Sequence, residues 1–378
     1  MIRVYLFRGK HPLYQTLVSH PPDGIEYLPR QKSAGIEEYR LYSPSYSLLR
    51  RVSDGAYDFL DVPRCVPVLR GYDLVHSSRG FFVLGPNRYV VDVEHVASFV
   101  GMQHRRMASE RARKLIRKFL LSEKCRKVLP HCEAARSSIV GLLNERAILD
   151  KMTVVYPSID VDLHSSPKVS HDVPEILFIG EYYWKGGREV IEACRRLTKK
   201  HDFKLTFISV RVHAPPQAIE RAKSEMNLEY VAGPIPRQEL FERIYPRADI
   251  FAMPTYLDTF GYAFLEAMAY GLPCVGASHF AVPEIIENGV SGYLVNPPIR
   301  FFDSRGVGHP ELSVESVDGT STALELSVCL ERLLDSRTLR ERMGSEGKRA
   351  VTSGKFSIAS RNALLKEVYE SSLVHKTA

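Results

Sequence analysis

Short apolar runs rich in β-branched residues alternate along most of the chain with longer stretches whose apolar positions recur at helical spacing. Runs that are apolar throughout, rather than at every second residue, predict strands buried on both faces, and hence parallel sheets with crossover helices. In the first half the predicted strands are "IRVYLF", "YDLVHSS", "RYVVDVEHV", "CRKVLP" and "MTVVYP"; in the second they are "EILFIG", "FKLTFISV", "LEYVAG", "ADIFAMP" and "PCVGAS". Helices are predicted over 105–122, 132–145, 188–199, 215–226, 238–245 and 261–270, and "GKFSIASRNALLKEVYESSL" closes the pattern as an amphipathic helix. Between the two series lies "PSIDVDLHSSPKVSHDVP", poor in bulky apolar residues, which predicts domains at 1–165 and 166–355, with 356–378 folding back on the first. The segment 298–318, with its prolines and glycines, reads as a surface insertion. The fold class is therefore α/β, two Rossmann-like doubly wound domains in succession, and two such domains facing one another would make a central cleft.

Composition adds limits. A chain of 378 residues that is 44% hydrophobic has room for both cores and is neither disordered nor fibrous. No stretch reaches the roughly 18 uncharged apolar residues of a membrane span. "MIRVYLFRGKH" lacks the apolar core of a signal peptide, so a cytoplasmic location is expected. Six scattered cysteines without CxxC spacing predict reduced structural thiols, not disulfides or a zinc site. The net charge of +7 calls for an anionic partner: phosphate, nucleic acid or a membrane surface. Nucleic acid is not expected, because the basic residues are not interleaved with stacking aromatics.

The candidate chemistry centres on "TYLDTFGYAFLEAMAYGLPCV", where Asp258 and Glu266 flank a nearly uncharged helix. A buried carboxylate needs solvent, a partner or a ligand. Two readings follow: Asp258 caps the helix and Glu266 pairs with a buried arginine, or the two acids hold hydroxyl groups at the ends of a ligand such as a nucleotide sugar, with an anionic group between them at the helix N-terminus. "DVD" at Asp160–Asp162 has the look of a metal-diphosphate motif but falls in the linker and is read as structural, and no other His, Cys, Asp or Glu cluster has ligand spacing. No metal and no cofactor are expected.

"PTYLDTFGYAFLEAMAYGLPCVGAS" followed by "VPEIIENGVSGYLV", with "VVYPSIDVD", "ILFIGEYYWKGG" and "GPIPRQEL" as further landmarks, resembles the donor-binding signature of glycosyltransferase family 4, retaining enzymes of the GT-B fold. The resemblance is dense from about 150 to 296 and thinner before it. It implies a hexosyl transfer from a nucleoside-diphosphate sugar to a lipid-linked, glycan or small-molecule acceptor, with retained configuration. It implies further that Glu266 binds the ribose, that Asp258 with Thr259, Phe260 and Gly261 positions the sugar, and that Lys185 of "WKGG" meets the diphosphate. The family has Glu where this chain has the shorter Asp258, and Arg where Glu181 follows Gly180; Arg188 or Arg211 would then supply the missing charge. Gly9 of "FRGKHP" stands alone where relatives carry a glycine pair near the phosphates. In the first domain the resemblance points to His95 for sugar contact, with Glu94 orienting it or meeting the acceptor, and more weakly to His76 and His131; His95 bonded only to backbone is the alternative. An epimerase of the same fold and a silent nucleotide-sugar binder are the rival functions. Finally, 103–128 carries ten Lys or Arg against two Glu around Met107, Leu115, Ile116, Phe119 and Leu120, a basic amphipathic pattern suited to peripheral contact with an anionic membrane, or to a helix packed on its own sheet.

Overall fold

The strand Tyr89–Val93 is buried at all its positions, because it lies inside a wholly parallel sheet whose faces are both covered. In the computed structural model, which describes residues 1–7, 11–28, 55, 57, 59–164, 166–209, 214–303, 308–309 and 313–374, this strand (β6) belongs to a five-stranded sheet. Its order is β2-β1-β4-β6-β7, with β1 Ile2–Phe7, β2 Ile25–Leu28, β4 Leu74–Ser77 and β7 Cys125–Pro130. A short parallel pair, β3 Cys65–Pro67 and β5 Phe82–Leu84, lies outside it. Phe82 and Val83 of β5 and Tyr89, Val91 and Val93 of β6 join Phe99, Ile116, Leu120 and Ile139 in one core.

The second sheet has six parallel strands in the order β10-β9-β8-β11-β12-β13. They are β8 Glu175–Ile179, β9 Lys204–Ser209, β10 Leu228–Ala232, β11 Ile250–Met253, β12 Cys274–Ala277 and β13 Gly292–Val295. The central strands are buried throughout, whereas β10, at the edge, is half-exposed. The chain forms two compact units: Met1–Ser158 with Phe302–Pro310 and Ile358–Ala378, and Ile159–Phe301 with Glu311–Ser357.

The helix Ile358–Leu373 is held in the first unit by named polar contacts. Arg361 donates to Thr16 Oγ1 (2.8 Å) and to the carbonyls of Thr16 and His20. Two sequence expectations need correction. "MTVVYP" is not a strand: it makes one bridge, Met152 to Val128, and then runs beside β7 with single hydrogen bonds from Thr153 and Val155. The segment 298–318 is not simply a surface insertion, since Phe301, Phe302 and Val314 are buried.

Candidate functional site

In the second unit β8, β11 and β12 are neighbours, and their carboxyl ends are level: Phe251 is in register with Leu177 and with Cys274. The loops leaving them carry the predicted site. Gly180, the first residue after β8, has no room for a side chain, because a Cβ would come within 2.6 Å of Lys185 Cβ. That close approach seats the lysine stem against the loop. The Glu181 carbonyl accepts from Lys185 N–H (3.1 Å), and the Trp184 carbonyl accepts from Tyr256 N–H (3.0 Å) and Thr255 Oγ1 (3.3 Å), so the β8 and β11 loops are tied together. Lys185 Nζ then donates to Asp258 Oδ2 (2.6 Å) and to the Leu257 carbonyl (2.8 Å).

Asp258 does not cap the helix. Its Oδ1 accepts from Phe260 N–H (3.2 Å), a turn within the loop, and the helix Tyr262–Ala269 is capped by Gly261 at φ 99°. Thr259 is half-buried, and Phe260 is buried against Phe356 (6.2 Å between rings). Glu266, on that helix, is 5% exposed and stands apart from the Lys185–Asp258 pair in its bonding. Arg237 donates to its Oε1 and the Tyr245 hydroxyl to its Oε2 (3.0 Å). Burial, then the Glu266 charge, push the Tyr245 hydroxyl far above its ordinary pKa, so it remains a donor. The structure thus brings Gly180, Glu181, Lys185, Asp258 and Gly261 together, and separately gives Glu266 two partners, Arg237 and Tyr245, which the sequence does not single out. Arg237 sits in the "GPIPRQEL" landmark, and its pairing is the buried-arginine reading of Glu266. A carboxylate offers about four lone-pair positions, so two donors leave Glu266 able to accept more.

Arg188, one of the two residues suggested to supply the charge absent at Glu181, is already engaged within the unit. Its guanidinium is turned to Glu189 (2.8 Å) and to the carbonyls of Glu315 and Val317. Arg211 and Gly9 lie outside the described residues.

In the first unit His95 is buried, and its Nδ1 accepts from Ala97 N–H (3.0 Å), capping the short helix Val96–Val100. Its ring lies 4.6 Å from Phe302 and 5.0 Å from His104, whose pKa burial pushes down to about 4. Glu94 faces Arg79 at 3.8 Å. His76 and His131 both turn inward to Asp92, at 3.3 and 3.6 Å. Asp92 is buried and also accepts from Tyr14 Oη (3.1 Å) and Arg79 N–H (2.7 Å). Burial raises its pKa, but the His131 and His76 imidazoles beside it outweigh that and hold the carboxyl well below the usual range. On the far side of His76, Nδ1 meets the Tyr369 hydroxyl (2.7 Å), which also meets Tyr27 (2.9 Å). This network fastens the last helix to the sheet.

The basic segment becomes a short 3₁₀ turn, His104–Ala108, and the helix Glu110–Leu121. Its apolar stripe is already used: Met107, Ile116 and Leu120 are buried, and Phe119 stacks on Phe82 at 4.7 Å. Arg111, Lys114, Arg117 and Lys118 remain on the exposed face, with Lys114 near Glu110 (3.7 Å) and Arg117 paired with Glu145. Beside the start of this helix, Asp61 holds Arg106 and Ser109, and the adjacent Phe59 is 90% exposed. Among the described residues no group of three His, Cys, Asp or Glu side chains is placed to hold a metal ion, and no helix is long and apolar enough to cross a membrane.

Residues 173–303 match the family model of the glycosyl transferases group 1. That match lies almost wholly within the second unit. The chain is similar to the D-inositol 3-phosphate glycosyltransferase of Mycolicibacterium smegmatis, 24% identical over 60% of this chain and 56% of that protein. The amylovoran biosynthesis glycosyltransferase AmsK of Erwinia amylovora is 35% identical over 33% of this chain and 32% of that protein. The chain thus spans little more than half of one relative and a third of the other. Over nearly the whole chain the fold resembles Anabaena HepE in complex with UDP and glucose, with TM-score 0.60, 15% identity and coverage of 98% of this chain and all of that one. It also resembles the sucrose-phosphate synthase of Thermosynechococcus elongatus, with TM-score 0.63, 14% identity and 98% coverage of each. Together with the two parallel-sheet units, these likenesses make the fold GT-B.

Proposed function

We propose that this protein is a retaining glycosyltransferase that moves a hexose-type sugar from a nucleoside-diphosphate sugar. The observation that carries the reading is the Lys185–Asp258 pair, 2.6 Å apart at the carboxyl edge of the second unit, where open parallel sheets bind ligands. Lys185 would offer its ammonium as a compact charge to the diphosphate, Asp258 would accept from hydroxyls of the sugar, and Glu266 from the ribose. As the β-phosphate leaves, charge grows on its oxygens, and a positioned ammonium stabilises that charge more than the ground state. The complex of HepE with UDP-glucose supports the donor class.

The test is a panel of UDP, GDP and ADP with their glucose or mannose conjugates, read by thermal shift and by nucleoside-diphosphate release. One nucleotide should stabilise the protein by about 2.7 kcal/mol at one hundred times its dissociation constant. Release in the presence of acceptor should persist in EDTA, because lysine and helix N-terminus take the place of a divalent cation. Activity abolished by EDTA and restored by manganese would refute metal independence and reopen Asp160–Asp162. Binding without release would mean a silent binder, and conversion of donor with no acceptor an epimerase.

We infer further that the first unit docks on anionic membrane, supported by the exposed basic face of Glu110–Leu121 and by Phe59 and Leu60 beside it. Since the helix's own stripe is buried, contact would be electrostatic, at about 1 kcal/mol per basic residue, with Phe59 and Leu60 entering the interface. Changing Arg111, Lys114, Arg117 and Lys118 to Gln should reduce co-sedimentation with phosphatidylserine vesicles by at least about tenfold. Binding that ignores lipid charge or survives the four changes would sink this inference.

A further inference from the structure

The short parallel ribbon of β3 and β5 carries an apolar face that is covered at one end and open at the other. Phe82, which begins β5, is buried and stacks on Phe99 (5.0 Å) and on Phe119 of the helix Glu110–Leu121 (4.7 Å). Side chains two apart on a strand share a face, so Leu84 continues the face on which that helix lies. Pro67 is in register with Leu84 and is exposed like it. Leu84 is 44% exposed, and Leu69, just beyond β3, is 81% exposed. Val68 N–H donates to the Leu84 carbonyl (2.8 Å), which holds the two leucine-bearing segments side by side.

This patch lies at one end of the basic helix. Lys124, just past the helix, donates from Nζ to the carbonyl of Gly85 (2.7 Å), the residue after Leu84. At the other end Asp61 holds Ser109 and Arg106, next to the exposed Phe59 and Leu60. The helix has 12 residues, a length of about 18 Å. Its exposed cations, Arg111, Lys114, Arg117 and Lys118, therefore run between two apolar groups, and the exposed Arg70 and Lys124 add charge beside the leucines. Acids are fewer: Glu110 and Glu123 at the two ends and Glu145 paired with Arg117. Exposed apolar side chains rimmed by cations suit an anionic bilayer, where the leucines enter the interface and the cations stay among the headgroups.

We propose that Leu69 and Leu84 form a second apolar anchor, so that the first unit lies on anionic membrane along the whole helix and not by its Phe59 end alone. This rests on the docking inference above. The helix precedes β7, which is parallel to its neighbour β6, so it runs back against the strand direction. The bilayer then meets the flank of the five-stranded sheet and not the carboxyl edge, where Glu94 and His95 follow β6.

The experiment compares co-sedimentation with phosphatidylserine vesicles for wild type, Leu69→Ser and the double variant Leu69→Ser/Leu84→Ser. The double variant should bind about tenfold more weakly and Leu69→Ser about threefold, with melting temperatures unchanged because both side chains face water in the free protein. Should the double variant melt lower, Leu69→Ser, the change at the more exposed residue, decides alone. In a separate arm, Leu69→Trp should be quenched by brominated phosphatidylserine; the chain has one natural tryptophan, Trp184, so wild type supplies the background. Unchanged binding of the serine variants, or a bound Leu69→Trp protein that brominated lipid does not quench, would overturn the proposal. So would a double variant that alters the oligomeric state of the free protein but not its affinity for vesicles, which would make the patch a contact between copies of this chain. A wild type that ignores phosphatidylserine vesicles would overturn the docking inference itself, and the second anchor with it.

Discussion

Lys185→Ala should lower turnover by about a hundredfold to a thousandfold, the range seen when one preorganised donor to a developing anion is removed. The Lys185 side chain is 25% exposed, and its ammonium is fixed by two oxygens, Asp258 Oδ2 at 2.6 Å and the Leu257 carbonyl at 2.8 Å. The alternative is that Lys185 merely neutralises Asp258. Stability and catalysis separate the two. If the pair is structural, Lys185→Ala and Asp258→Asn should each cost a similar amount, about 1–3 kcal/mol for a partly buried pair, and the loss should appear in the melting temperature of the free protein. If Lys185 meets the diphosphate, its removal should weaken bare nucleoside diphosphate as well as slow transfer. Asp258→Asn should then keep nucleotide binding and impair transfer more, since the amide still accepts from Phe260 N–H but no longer carries charge beside the sugar. A Lys185→Ala protein with a lowered melting temperature and unchanged nucleotide affinity would show the charge pair to be structural only.

The central strands were readable because burial on both faces leaves continuous apolar runs, as in β6 and β11. β13 was not, for it has only four residues and begins at Gly292, where a Cβ would lie 1.9 Å from the Cys274 carbonyl oxygen. Its glycine is required by the neighbouring strand, but in sequence it reads as a turn. "MTVVYP" failed for the opposite reason: its composition suits a strand, yet only Met152 makes a ladder-type bridge with β7. At the site, local motifs were legible and their partners were not. "WKGG" and "TYLDTFG" could each be found, but the Lys185–Asp258 bond joins residues 73 positions apart. Asp92 is not legible as a hub because its partners come from β4, from the residue that follows β7 and from the helix Pro12–Ser19. The basic segment was ambiguous by nature. Its apolar stripe has the same spacing whether it meets lipid or, as here, Phe82 and the core around it.

Arg237 and Glu266 allow a sharper division between fold and function. Glu266 is nearly buried, so removing the cation alone strands a carboxylate; Arg237→Met should destabilise the protein by about 2–4 kcal/mol, somewhat below the range for a fully buried pair because the guanidinium is partly exposed. Glu266→Gln should cost less, because the amide still accepts from Tyr245 and leaves an arginine with access to water. The double variant should recover much of the stability lost in Arg237→Met, since no buried charge remains. Ligand binding should follow a different order. If Glu266 accepts from the ribose, Glu266→Gln should weaken nucleoside diphosphate by about 1–3 kcal/mol, the worth of a hydrogen bond to a charged group. The double variant should then be stable yet bind as weakly as Glu266→Gln, because Arg237 acts on the nucleotide only through the carboxylate it holds. Should the double variant regain nucleotide affinity along with stability, Glu266 would be a structural partner of Arg237, and the ribose would have to be held elsewhere on the domain.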